Sequence, residues 1–224
     1  MFRMFQGWLS MSSTGPYEGT LLVNPLLGLA TSYFLLRPFF SPKSAAASQQ
    51  FSDAYLAPSN WTLDLSSTNS WLQGATPGHG QELRHHLHPH LDLPNSMVHV
   101  PRVQPGDYVS WHCDTIHAVD SIHAGRTDSS VLYIPACPLT VSNAEYLARQ
   151  RERFLAGTPS PDFGGGKGES EHVGRPGVQD VENVDAGDGM RAFGLKEWDS
   201  DAEGLSIGQR EVMDRANKVL GFYG

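Results

Sequence analysis

Short runs of alternating or β-branched residues, each bounded by Gly, Pro, Asn or Ser, recur along the first 140 positions of the chain. Such runs predict β-strands, because these residues suit a pleated surface and the flanking residues suit turns. The predicted strands are residues 5–11, 20–24, 31–36, 97–102, 108–111 and 130–135. Many short strands separated by turn signals are typical of a sandwich or a jelly roll.

The most apolar window, residues 19–40, is long enough to be mistaken for a membrane span. Asn24-Pro25 interrupts this window and Arg37-Pro38 ends it, which a membrane helix would not tolerate without compensation. The window therefore predicts two buried strands, and no membrane partner is expected.

The pattern becomes helical after Pro138. Ser142 and Glu145 have capping-box spacing before an amphipathic run, and Ser206 and Gln209 have the same spacing before a second one. The stretch 157–188 between them is rich in Gly, Pro, Ser and acidic residues, so we predict a loop there.

These patterns predict a mainly β fold with flanking C-terminal α-helices. Residues 1–140 would form a jelly-roll β domain with a long polar insertion at about 41–95, where Ser, Ala, Asn, Gly and His dominate. Residues 141–224 would form a helical and loop extension that packs on the barrel.

Composition narrows the functional classes. The chain has 224 residues, of which 39% are hydrophobic and 18% charged, enough for one domain with a core. Sixteen Lys and Arg against 24 Asp and Glu give a net charge of −8 without a basic cluster, which argues against nucleic acid as a partner. Two cysteines and no secretory signal pattern indicate a reducing compartment, so we expect the cytoplasm.

The segment 105–117 combines a predicted turn, a predicted strand and two histidines. Pro105-Gly106-Asp107 predicts a turn, residues 108–111 favour an extended chain, and Thr115-Ile116 leads to His117 at a strand end. Neutral imidazole is the commonest ligand for borderline metals, so His117 is the best candidate metal ligand. The alternative is a strand-end histidine satisfied by backbone groups. His112, five residues earlier on the opposite face, is expected to lie outside such a site.

The spacing of Gly106-Asp107 and His117, ten residues after the Asp, resembles the distal-histidine strand of the iron(II)/2-oxoglutarate oxygenases. Other segments resemble the family catalogued as domain of unknown function 1479. They are residues 6–10 (QGWLS), 36–40 (LRPFF), 88–91 (HPHL), 129–138 (SSVLYIPACP) and 169–175 (ESEHVGR). The resemblance covers most of the chain and implies an oxygenase-like, double-stranded β-helix of the cupin type.

In that class a His-x-Asp or His-x-Glu pair and the distal histidine hold iron, and positions stay open for 2-oxoglutarate and oxygen. The strand predicted at 5–11 resembles a segment that follows the metal-binding pair. We therefore expect a C-terminal portion of a longer protein, with an incomplete jelly roll. The resemblance implies a dioxygenase that oxidises an unknown small molecule with iron(II) and 2-oxoglutarate, inactive in this form if the pair lies upstream.

Three residues are candidates to bind the carboxylate of 2-oxoglutarate. Arg126 follows His117 by nine residues, near the spacing at which the resemblance places the arginine that binds the cosubstrate. In the resemblance a serine follows this arginine by two residues, whereas in this chain Ser129 follows Arg126 by three. Arg37 lies between apolar residues and is the rival anchor, since a charge in such a setting needs a partner. A solvated loop arginine is the alternative for Arg126.

Five of the ten histidines lie within residues 79–90. The polar surroundings favour solvent-exposed side chains, although such tracts also bind zinc. His90-Leu91-Asp92 spells a His-x-Asp, and with His117 it would complete a triad, but only 25 residues separate Asp92 from His117 and Leu93-Pro94 suggests a loop. The alternatives to an oxygenase are a non-catalytic, cupin-like binding or scaffold module and a zinc-binding protein built on this tract.

Overall fold

The computed structural model describes residues 1–44, 51–65, 72–79 and 81–223. Parts of the insertion predicted at 41–95 therefore lie outside the described residues. Contacts divide the chain into two units, one formed by Gln6–Ile134 and the other by Met1–Phe5 with Pro135–Gly224. Of the described residues 32% are helical and 16% lie in strands or bridges. The fold is thus mixed α and β rather than mainly β, and the expected jelly roll is not confirmed.

Eight short strands form three small sheets in the part of the chain that the structure describes. They are β1 (Phe5–Ser10), β2 (Leu21–Val23), β3 (Phe40–Pro42), β4 (Trp61–Leu63), β5 (Val98–His99), β6 (Tyr108–His112), β7 (His117–Val119) and β8 (Val131–Tyr133). Their orders in the sheets are β6-β1-β8, β5-β2-β7 and β3-β4. The pairs β1–β8, β2–β5, β2–β7 and β3–β4 are antiparallel, and Val23 of β2 lies opposite His117 of β7.

The helices differ in size between the two units. The unit Gln6–Ile134 contains α1 (Leu27–Leu36), α2 (Asp53–Leu56), α3 (Leu93–Ser96) and 3₁₀ turns at Arg37–Phe39, Pro58–Asn60 and Pro89–Leu91. The other unit contains α4 (Val141–Ala156), α5 (Val178–Val184), α6 (Asp188–Ala192) and α7 (Ile207–Val219). Among the described helices, none is long and apolar enough to cross a membrane.

Most of the strand predictions are confirmed, with ends shifted by a few residues. Strands occur within the predicted stretches 5–11, 20–24, 108–111 and 130–135, and a two-residue strand lies within 97–102. The prediction for 31–36 is wrong, because α1 covers these residues. The helix is mostly apolar and has no polar face, although it contains Thr31 and Ser32, and such a run does not distinguish a helix from a buried strand. Leu26, just before α1, donates its N–H to the side chain of the buried Asn24, 2.9 Å away.

A small apolar core holds the strands of the unit Gln6–Ile134 together. Trp8, Leu21 and Val103 are its buried members, and each is 6–7% exposed. Partly buried side chains from the neighbouring strands pack against them: Val23, Val100, Val109, Trp111 and Val131. Burial of apolar area of this kind is the dominant favourable contribution to folding.

The helical unit confirms both predicted helices and corrects one boundary. Thr140, not Ser142, caps α4, and its hydroxyl accepts the N–H of Asn143 at 3.1 Å. Ser206 and Gln209 do form the predicted capping box of α7. The loop prediction for 157–188 is wrong for Val178–Val184, which forms α5.

Candidate functional site

His117 is the first residue of β7, and its side chain is exposed. Its Nδ1 lies 2.9 Å from the main-chain oxygen of Thr115. A carbonyl oxygen can only accept a hydrogen bond, so Nδ1 carries the proton and Nε2 carries the lone pair. Nε2 has no hydrogen-bond partner among the described residues. Metal-binding histidines are held in the same way, by an N–H donated to a carbonyl on the far side of the ring.

A cavity of about 840 Å³ lies beside His117, within the unit Gln6–Ile134. Its wall is built by α1, α3, the segment 81–84 and the segment 113–118. The apolar lining residues are Phe34, Leu35, Leu72, Leu83, Leu93, Met97, Ile116 and Ala118. Polar side chains, among them Glu82, Arg84 and Asp114, lie on the same wall. A mostly apolar wall with a few polar groups is the usual design of a site for a small organic molecule.

The turn between β6 and β7 contains a group of metal-ligand side chains. The N–H of Thr115 donates to the carbonyl of His112 at 2.9 Å and closes this turn. Among the described residues, His112, Cys113 and Asp114 are the one group of three potential ligands whose ligand atoms all lie within 4.8 Å of one another. Strand alternation predicted that His112 lies outside the site, and no local pattern marked its two neighbours as ligands.

The thiol of Cys113 is in its neutral form. Burial first, and then the adjacent carboxylate of Asp114, raise the pKa of this thiol. Cys113 is half-buried, whereas Cys137 is exposed.

The triad of His90, Asp92 and His117 is not a ligand group among the described residues. Nε2 of His90 donates to the carbonyl of Leu56 at 3.0 Å, and its ring packs edge-on against Trp61 with 4.9 Å between the centroids. The carboxylate of Asp92 accepts two hydrogen bonds from the side-chain amide of Asn95, at 3.0 and 3.2 Å. His90 is therefore engaged with Leu56 and Trp61, and Asp92 with Asn95. Leu93-Pro94 suggested a loop, but these two residues begin α3.

The candidate carboxylate anchors lie apart from the described cavity wall. Arg126 is exposed, and the hydroxyl of Ser129 donates to the carbonyl of Gly19 at 3.3 Å. Arg37 stacks over the ring of Trp61, 5.0 Å from its centroid, and donates to the carbonyl of Phe40 at 2.9 Å. Arg37 thus has an aromatic and a main-chain partner within its own unit, as a charge between apolar residues requires.

The histidine tract is only partly exposed. His79, His86 and His90 are exposed, but His88 is fully buried, so the prediction of exposure is wrong for this residue. Nε2 of His88 donates to the carbonyl of Gln73 at 2.8 Å, and Nδ1 accepts from the hydroxyl of Tyr33 at 3.0 Å. Burial lowers the pKa of His88 and keeps the imidazole neutral. Because both ring nitrogens are engaged, His88 is a core residue and not a zinc ligand.

A carboxylate fixes the end of β7 that lies beyond His117. Asp120 accepts from the N–H of Ile122 at 2.9 Å, from Nε2 of His99 at 2.7 Å and from the N–H of Tyr17 at 3.1 Å. The N–H of Ile122 first, together with His99, lowers the pKa of Asp120. The strand that carries His117 is therefore anchored at both ends.

These features define a mixed α and β protein with small sheets and a cavity of ligand size that has a histidine in its wall. The chain belongs to the Gig2-like family, whose model matches residues 1–195. It is 29% identical over 195 residues to the uncharacterized protein YbiU of Escherichia coli strain K12, a match that covers 87% of this chain and 39% of YbiU.

Two solved structures resemble the chain in both sequence and fold. The crystal structure of GlcNAc Inducible Gene 2, GIG2 (DUF1479), from Candida albicans matches with a TM-score of 0.74 and 32% identity over 100% of this chain and 47% of GIG2. A Salmonella typhimurium LT2 protein named "Putative Oxidoreductase" matches with a TM-score of 0.63 and 29% identity over 87% of this chain and 39% of that protein. The chain thus spans less than half the length of these relatives.

Proposed function

We propose that this chain forms the distal-histidine side of a non-haem iron, 2-oxoglutarate-dependent oxidoreductase that acts on a small organic molecule. The proposal rests on the hydrogen bond and the position of His117. Its Nδ1–H donates to the carbonyl of Thr115, and the residue lies at the wall of a cavity of about 840 Å³. The name of the Salmonella relative gives independent, weaker support.

The residues of this chain fit one position of such a metal centre. Nε2 of His117 has the tautomer that a metal requires, but among the described residues no carboxylate and second imidazole join it in a ligand group. A ferrous centre of this class needs both. We assign them to the part of the relatives' length that this chain does not span.

The proposal gives a role to His117, to the apolar wall of the cavity and to Arg126. Iron, when bound, would supply the redox chemistry, and His117 would hold it at the cavity wall. Apolar side chains such as Phe34 and Met97 would exclude water and bind the carbon skeleton of the substrate. Arg126 is exposed outside the described cavity wall, and its guanidinium, which suits bidentate binding, would hold the far carboxylate of 2-oxoglutarate where the cosubstrate extends beyond the cavity.

Because this chain supplies only one of the three ligands, the test uses a joined protein, in which this chain is linked to the part of a relative's length that it does not span. Iron(II) and 2-oxoglutarate are titrated anaerobically into this methyl-labelled joined protein. We expect the NMR signals of Met97 and Ala118, which line the cavity, to respond to 2-oxoglutarate only when iron is present. His117→Ala should abolish the response. His172→Ala, which removes an exposed histidine of the other unit, should leave it unchanged. An equal response in the His117→Ala joined protein, or none in the joined protein without substitutions, would reject the assignment.

The second candidate function is a non-catalytic binding module, which the predominance of apolar side chains on the cavity wall favours. A binding module would take an apolar ligand with an affinity that neither iron nor His117→Ala changes. Apolar fluorescent probes titrated with and without iron(II) separate the two functions, because only the oxidoreductase site should show metal-dependent binding.

A further inference from the structure

The turn that follows β6 places three chemically different ligands on consecutive residues. Sγ of Cys113 lies 4.0 Å from Nδ1 of His112 and 3.6 Å from Oδ1 of Asp114. Nδ1 of His112 lies 3.7 Å from Oδ2 of Asp114. Sγ and Nδ1 thus approach different oxygens of the Asp114 carboxylate, and one ligand atom from each of the three residues lies within 4.8 Å of the other two.

The distances between these ligand atoms can be compared with the ligand–ligand distances of a zinc site. Zinc binds thiolate sulfur at about 2.3 Å and imidazole nitrogen or carboxylate oxygen at about 2.0–2.2 Å, so a tetrahedral site has ligand–ligand distances of about 3.3–3.6 Å. The closest pairs, at 3.6–4.0 Å, exceed these by a few tenths of an ångström, whereas one atom from each residue lies within 4.8 Å of the others. Metal binding would therefore require rotation of the three side chains toward one another.

The hydrogen bonds of the turn also favour a metal. Nδ1 of His112 accepts the N–H of Asp114 at 3.2 Å, so this nitrogen already carries a lone pair on the side of its two neighbours. A cation would replace this long hydrogen bond and the two weak contacts of the thiol. Three protein ligands with one open position are typical of zinc sites that bind a further ligand. Cys113 and Asp114 both line the cavity, so the open fourth position of the metal would face the cavity, where a small molecule could bind to it.

We propose that Nδ1 of His112, Sγ of Cys113 and the carboxylate of Asp114 bind a thiophilic divalent cation such as Zn²⁺, with the fourth position open to the cavity. The site is separate from the iron position at His117. Thiolate ligands select zinc over iron, whereas imidazole and carboxylate suit iron, so the two positions differ in metal preference.

Cobalt(II), a coloured substitute for zinc, tests the thiolate bond directly. We expect the full chain with Co²⁺ to show a sulfur-to-cobalt charge-transfer absorption that Cys113→Ser abolishes. Cys137→Ser, which removes the exposed cysteine of the other unit, and His117→Ala should both retain the absorption. Absorption that survives Cys113→Ser, or that disappears in Cys137→Ser or His117→Ala, would overturn the proposal.

Alkylation of the unaltered cysteine gives a second readout that does not depend on a Cys113 variant. Zn²⁺ at about ten times its dissociation constant should slow iodoacetamide labelling of Cys113 about tenfold and leave Cys137 unaffected, because only about a tenth of the sites are then free of metal. His112→Gln and Asp114→Asn should each restore fast labelling. Labelling of Cys113 that Zn²⁺ does not slow, or protection that persists in both variants, would contradict the assigned ligands.

Discussion

Nδ1 of His117 lies 2.9 Å from the main-chain oxygen of Thr115, two residues earlier in the chain. This contact orients the ring, and in the neutral imidazole it leaves the lone pair on Nε2, the atom through which the proposed metal would bind. The strand end that carries it is held by pairing with β2 and by the hydrogen bonds of Asp120. The local backbone therefore sets the chemistry of this side chain.

Truncation of Arg126 should weaken ligand binding and leave stability nearly unchanged, whereas truncation of Arg37 should lower stability. Arg126→Ala should change the free energy of unfolding by less than about 0.5 kcal/mol, because the side chain is exposed. It should weaken 2-oxoglutarate binding in the presence of iron(II) about tenfold or more, because a bidentate carboxylate contact is lost.

Arg37→Ala should cost about 2 kcal/mol of stability, because it removes the stacking on Trp61 and the hydrogen bond to Phe40. Urea denaturation and calorimetric titration of both variants provide the comparison. Loss of 2-oxoglutarate binding in a folded Arg37→Ala protein, with normal binding in Arg126→Ala, would move the anchor to Arg37.

His88→Gln should destabilise the protein by about 1–3 kcal/mol at neutral pH, because it disturbs a buried side chain that bonds both Tyr33 and Gln73. His86→Gln is the matched control, since His86 is exposed and should tolerate the change. Urea denaturation measures both. Equal stability of the two variants would show that the buried hydrogen bonds contribute little.

The low pKa of His88 predicts how stability depends on pH. The unfolded chain takes up a proton at this residue near its usual pKa of 6.5, whereas the folded protein does so only at lower pH. The stability that neutral His88 contributes is therefore complete above about pH 6.5 and is lost as the pH falls toward the folded pKa.

Chemical denaturation at about pH 7.5 and about pH 5.5 should show a smaller stability difference between the unaltered protein and His88→Gln at the lower pH. A difference that grows on acidification would contradict a neutral, buried His88.

Gly7→Ala should destabilise the sheet β6-β1-β8 by about 1–3 kcal/mol, a typical cost of overpacking. A Cβ at Gly7 would overlap the hydroxyl of Tyr108, which donates to the carbonyl of Ile134 at 2.6 Å, so that hydrogen bond would have to break. Gly28→Ala, in α1 with open space around it, should be neutral or stabilising by up to about 1 kcal/mol. Thermal unfolding curves that coincide for the two variants would refute this steric account.

Local signals in the sequence predicted many elements of the fold. Strand β6 follows from a Pro-Gly-Asp turn and β-branched or aromatic residues, and α7 follows from the capping box of Ser206 and Gln209. The helix α1 could not be predicted in this way, because its apolar residues have no period and its environment decides between helix and strand.

The candidate site was predictable only where the chemistry is local. The strand-end position of His117 follows from the turn and strand pattern before it. The burial of His88 depends on Tyr33, 55 positions away, and no local pattern reports such a contact. Strict strand alternation placed His112 on the face opposite to His117, outside the candidate site. The turn that ends β6 instead brings its ligand atom close to those of Cys113 and Asp114.

The most direct test of the account is paramagnetic broadening by Mn²⁺ in protein with ¹³C-labelled histidine rings, because it detects weak metal binding residue by residue. With 2-oxoglutarate present, the His117 signal should broaden at lower Mn²⁺ concentration than the signals of the exposed histidines His79, His86 and His172. A His117 signal that stays sharp while those of the exposed histidines broaden would contradict the assignment of His117 as a metal ligand.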